Sequence, residues 1–160
     1  MSPKKPKNYE ISDSLDDRAE THLKIGKRNE QFYKLLTNSN SDYHIWEWMV
    51  TIVFYSSLHY IKSLLIENYE KSPEDINRHY KIKQVMKNLA NNDDLKYNIF
   101  EQYEKLKNNS MVTRYKVFSE SSTFEDGFLI TLAAKSYNEQ FSEIRDYVLD
   151  KIPEDLKSCI

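Results

Sequence analysis

An all-α fold, an up-and-down bundle of about five helices, is predicted by three features of the 160-residue sequence. Two glycines and four prolines leave too little turn chemistry for the many reversals of a sandwich or barrel. Apolar residues recur at spacings of three, four and seven through most of the chain, the period of helices with one buried face. Residues 45–55 are apolar on nearly every face, which suits a helix at the centre of a bundle. A chain of this length is expected to build one domain. Residues 12–153 are assigned to it, with 1–11 as a disordered tail and 154–160 as a C-terminal tail.

Residues 1–11 hold two prolines and three lysines and few apolar side chains besides Tyr9 and Ile11, too little burial to offset ordering. A first helix begins after Ser12, with Asp13, Asp16 and Asp17 near its positive end. It carries Leu15, Ala19, His22, Gly26, Tyr33 and Leu36 as a stripe, and its polarity marks it as peripheral. Asn38 to Asp42 form a cluster of turn and N-cap residues. The second helix spans about 42–70. Glu47, His59, Lys62 and several hydroxyls interrupt its apolar run, so burial in a bundle is expected rather than burial in lipid.

Ser72-Pro73-Glu74-Asp75 reads as a helix start, with Ser at the cap, Pro in the first position and acids in the first turn. The third helix places Ile76, His79, Ile82, Met86 and Leu89 on one stripe and stops near Asn91-Asn92. The fourth opens at Asn92-Asp93-Asp94 and runs through Leu95, Ile99, Tyr103, Leu106 and Ser110 to about Arg114. A polar break at Ser119 to Ser122 precedes the fifth. That helix carries Leu129, Ala133, Tyr137, Phe141, Ile144 and Val148, and Pro153 ends it.

Lys and Arg number 23 against 25 Asp and Glu, a formal charge of −2, so no global basic field advertises nucleic acid. A local patch remains open. The single cysteine, Cys159, supports neither a disulfide framework nor a Cys-based zinc site within one chain. The start, Met1 to Lys7, has a positive run without an apolar segment after it, which argues against a secretory signal. A cytoplasmic setting with no metal and no cofactor is expected.

Histidine is the first place to look for an acid or base near neutrality. His22 and His44 are read as surface or boundary residues. His59 lies deep in the most apolar helix, where a buried imidazole needs partners. It is either a core histidine satisfied by a hydroxyl or carbonyl, or a functional one. His79, beside Arg78, is either a packing histidine at the bundle edge or a phosphate or nucleotide contact. Arg114 and Tyr115, with Ser110 on the same helix, pair a guanidinium with a ring that suits phosphate binding and base stacking. The plainer reading has Arg114 capping carbonyls at a helix C-terminus. The twelve tyrosines and seven phenylalanines are read as core and boundary packing, and the Lys-rich sides of helices three and four as solvated faces.

Taken in order, four segments resemble the HEPN family. They are the run Phe54 to Leu65; His79 followed by leucine-like spacing to Leu89; Tyr103 and Leu106 followed by Arg114-Tyr115; and a final amphipathic helix with Ala133 and Ala134. The match covers about residues 42–150. The resemblance implies a bundle that often dimerises and, in many members, cleaves RNA without metal, usually with an arginine followed, after four to six intervening residues, by a histidine. No such pair occurs: three residues separate Arg18 from His22, and none separate Arg78 from His79.

A substitute site is therefore sought in His59 and His79. At the rise of an α-helix they differ by about 7 Å along the bundle, whereas Arg114 lies about 15 Å from His79. The resulting expectation is a HEPN-like domain that recognises RNA or nucleotides, or a metal-independent ribonuclease of a bacterial or archaeal defence or toxin–antitoxin system. His59 and His79 are its catalytic candidates, and Arg78, Arg114, Tyr115 and Ser110 its phosphate- or RNA-binding candidates. Expected partners are RNA or a nucleotide, a second copy in a homodimer, or a cognate protein, with no membrane. The alternative is a non-catalytic helical dimerisation or protein-interaction module.

Overall fold

The computed structural model describes residues 18–38, 45–116 and 124–160, and within them the side chains of 18–37, 48–113 and 136–160. These segments are helical, with no strand among the described residues: α1 (Ala19–Asn38), α2 (Ile45–Tyr69), α3 (His79–Asn91), α4 (Tyr97–Lys116), α5 (Phe124–Lys151) and the short α6 (Glu154–Lys157). The all-α bundle expected from composition and periodicity is what forms. The expected tail at 1–11, the start at Ser12, His44 and the break at 119–122 lie outside the described residues.

Helix α2 is the hub. It packs on α1, α4 and α5, while α3 packs on α4. Val53, Phe54, Tyr60, Ile61, Leu64 and Leu65 are each at most 1% exposed, and full burial of such side chains contributes roughly 1.5–3 kcal/mol apiece. The segment Trp48–Tyr69 is long and apolar enough to cross a membrane by length and composition, and 72% of its apolar window is buried inside the protein. Its all-round hydrophobicity is consumed by three helical neighbours.

Helices α1 and α2 run antiparallel: His22 meets His59, Gly26 meets Ser56, and Tyr33 shares a small cavity lining with Met49, Val50 and Val53. Gly26 allows the close approach. A Cβ there would lie 3.2 Å from the Tyr60 ring and 3.3 Å from the Ser56 carbonyl oxygen. The Ser56 hydroxyl instead donates to the Gly26 carbonyl at 2.7 Å, a buried tie from a side chain of α2 to the backbone of α1.

The start signal at Ser72 is real but serves a different element. The Ser72 amide and hydroxyl both donate to Asp75 Oδ2, at 3.1 and 2.9 Å, and the Asp75 amide returns to the Ser72 carbonyl at 3.0 Å. This closes a 3-10 turn over Pro73–Asp75. Ile76 then drops into the core, 1% exposed, with φ −128° and ψ 16°. That non-helical step restarts the register, so α3 begins at His79 rather than at Pro73.

Helix α3 ends at the expected asparagines. Asp93 adopts φ 61°, and the Asp94 amide reaches back to the Leu89 carbonyl at 3.0 Å, a Schellman closure with Asp in the place usually held by glycine. Beyond Pro153, the expected C-terminal tail forms α6, whose Leu156 packs against the core beside buried Ile152.

Candidate functional site

Ala19, His22, Leu23, Gly26, Glu30 and Tyr33 are the buried side of α1. His22 is thus aimed at α2, and at 5% exposure it is not the surface or boundary residue its polar surroundings suggested. Its Nδ1 lies 2.9 Å from Nδ1 of half-buried His59, with ring centroids 5.1 Å apart and planes inclined at 36°. A hydrogen bond between two Nδ1 atoms needs a proton on one and a lone pair on the other. The neutral rings must therefore be opposite tautomers, one presenting an Nε2 lone pair and the other an Nε2–H.

The surroundings keep both rings neutral. Burial lowers the pKa of His22 to about 4, with the Lys62 charge adding to it. Burial likewise lowers His59 to about 4, helped by His22, Lys62 and Arg28. Two bases uncharged at neutral pH, beside cationic side chains, form an electron-rich centre in a positive local potential.

A second polar insertion lies eight residues further along α1, about 12 Å away by helical rise. Glu30, 1% exposed, accepts on Oε1 from Lys34 at 2.6 Å and Arg145 at 3.1 Å, and on Oε2 from the Tyr60 hydroxyl at 2.8 Å. Lys27 stands 3.7 Å off. Burial pushes the Glu30 carboxyl upward, but the bonds from Lys34 and Tyr60 and the nearby lysines outweigh it and hold the pKa below the usual value. Burial first, then the bond to Glu30, drives the Tyr60 hydroxyl above the ordinary tyrosine range. The cluster ties α1, α2 and α5 together, and each carboxylate oxygen has partners.

The other expected residues are dispersed. His79 opens α3, is exposed, and rests its ring against Phe54 at 5.6 Å and Tyr55 at 6.4 Å. Those two residues precede His59 by five and four positions, roughly 6–8 Å along α2. His79 thus sits near His59 along the helix axis, but the ring that His59 touches is His22 of α1. Arg78 is exposed beside His79. Ser110 is fully buried on α4, which removes its hydroxyl from any surface phosphate contact. Arg114 and Tyr115 belong to α4, and their side chains lie outside the described set.

His22 and Glu30 are the site residues that local reading missed. The stripe of α1 already contained His22 at four-residue spacing from Gly26; weighing that spacing above the polarity of its neighbours would have placed it inward. Among the described residues no group of three or more His, Cys, Asp or Glu gathers as a metal would require. Comparison with protein-family models, curated proteins and solved structures finds no match to this chain.

Proposed function

We propose that this bundle is a HEPN-like domain acting on RNA as a metal-independent ribonuclease, with His59 as its acid–base residue and His22 as the residue that positions it. The 2.9 Å contact between the two Nδ1 atoms carries the reading. With His22 accepting, His59 holds its proton on Nδ1 and offers an Nε2 lone pair as base. RNA brings its own nucleophile: the 2′-hydroxyl gives its proton to Nε2, the 2′-oxygen bonds to phosphorus, and the bond to the 5′-oxygen breaks. The proton then passes to the departing oxygen, and the charge building on phosphorus is met by Arg28 and Lys62, the cations whose fields reach His59.

The ordered resemblance to the HEPN family supports RNA as the substrate and a defence or toxin–antitoxin setting in the cytoplasm, with a homodimer as the working form. A non-catalytic interaction module is the second reading. It is favoured by the exposure of Phe32 (51%), Leu35 (69%) and Trp48 (63%), large apolar side chains of the kind that mark protein contacts.

Incubation with labelled single-stranded RNA and tRNA in EDTA decides between them. The first reading expects cleavage by the parent, a loss of about 10²- to 10⁴-fold in His59→Ala, and for His22→Ala a smaller loss together with an upward shift of the acid limb of the pH–rate profile. Cleavage undiminished in His59→Ala overturns the assignment. No cleavage and no binding in low salt selects the interaction module.

A further inference from the structure

We propose that the ring pair Tyr55–His79 is a stacking subsite for one base of single-stranded RNA, set beside His59. His79 is exposed at the first position of α3, and its imidazole is braced from α2 by Phe54, 1% exposed, at 5.6 Å and by Tyr55 at 6.4 Å with planes inclined at 64°. A ring anchored on the core and open to solvent is the kind of surface on which nucleic-acid bases stack, since every base offers a π-face.

Its placement ties it to the histidine pair. Tyr55 and His59 are one turn apart on the same side of α2, about 6 Å by helical rise, so a base on the platform puts its own backbone near His59. Cationic side chains bracket the run. Exposed Arg78 adjoins His79, while Arg28 and Lys62 act on His59. Local cations of this kind attract phosphates despite the net charge of −2. A base inside a duplex is stacked on its neighbours and cannot reach such a ring, which makes single strands the preferred form.

This inference rests on the reading of His59 as an acid–base residue for RNA, and the experiment separates the two. The probe is a fluorescent 2′-O-methyl oligonucleotide, which lacks the nucleophilic hydroxyl, titrated against the full chain by anisotropy as a single strand and as a duplex. Tighter binding of the single strand is expected. His79→Ala and Tyr55→Ala should each weaken it by about 5- to 150-fold, the range for losing one stacked base, while His79→Phe retains it. His79→Ala is the decisive variant because the residue is exposed and its loss leaves the core intact.

Equal binding by His79→Ala, equal affinity for the duplex, or no binding of the single strand in low salt overturns the subsite. The expected binding pattern without cleavage of natural RNA leaves the subsite standing and removes the acid–base reading. Cleavage of natural RNA with an unchanged KM in His79→Ala does the reverse.

Discussion

His22 of α1 and His59 of α2 touch through their Nδ1 atoms at 2.9 Å across an antiparallel helix pair. Both rings have folded-state pKa values of about 4, below the roughly 6.5 of an unfolded histidine. As pH falls through 6.5 the unfolded chain takes up protons that the folded chain refuses until about pH 4. Stability should therefore decline across that window, by on the order of 2 kcal/mol for the pair after allowing for the half-exposed position of His59. Urea midpoints at pH 7, 6 and 5 test this. A flat profile over that range contradicts it, and the double variant His22→Leu, His59→Leu should flatten whatever slope the parent shows.

Glu30 and Glu20 make the same kind of bond to lysine in opposite surroundings. Glu30 is 1% exposed and shared by Lys34, Arg145 and Tyr60, whereas Glu20 and Lys24 form a surface pair at 2.5 Å. Removing Glu30 strands the fully buried Tyr60 hydroxyl and takes a partner from Arg145, while Lys34, 57% exposed, turns to water, so Glu30→Ala should cost about 1–3 kcal/mol. Lys24→Ala should change stability by no more than about 0.5 kcal/mol. Comparable losses in the two variants would show that the buried cluster contributes no more than a surface pair.

Gly26→Ala would normally help a helix by roughly 0.5–1 kcal/mol. Here the new methyl meets the Ser56 carbonyl oxygen at 3.3 Å and the Tyr60 ring at 3.2 Å. Backbone on the opposing helix cannot turn aside, so α1 must shift and loosen both the Ser56 bond to Gly26 and the histidine pair. A net loss of about 1 kcal/mol in chemical denaturation is the expected result, and a gain would mean the interface yields freely.

Tyr103 is completely buried, and its hydroxyl has no hydrogen-bond partner among the described residues. Burial, with Glu104 nearby, also drives its pKa upward, so it stays a neutral phenol. An orphaned buried hydroxyl is unfavourable by about 1–3 kcal/mol, so Tyr103→Phe should be neutral or stabilising, raising Tm by a few degrees. A clear drop in Tm would reveal a partner for the hydroxyl.

The bundle was legible because its causes are local. The all-round apolar run of α2, the asparagines after α3 and Pro153 after α5 each act within a few residues, and each appears where the sequence put it. What it missed depends on partners far along the chain. His22 and His59 are 37 residues apart, and Glu30 and Arg145 are 115 apart. No spacing rule links such positions until the helices are packed. The late start of α3 has the same origin, since the burial of Ile76 in the assembled core outweighed a good local start signal.

The hub role of α2 also sets a timing problem during synthesis. Once Tyr69 has been added, only α1 is available to cover the apolar helix, because α4 begins at Tyr97 and α5 ends at Lys151. At typical translation rates the ribosome needs about 4–16 s more to reach the end of α5. Until Lys116 is added the hydrophobic segment waits with two of its three neighbours unfinished, and from there to Lys151 with one. The nascent chain therefore depends on α1, through its tight approach at Gly26, as an early escort against aggregation.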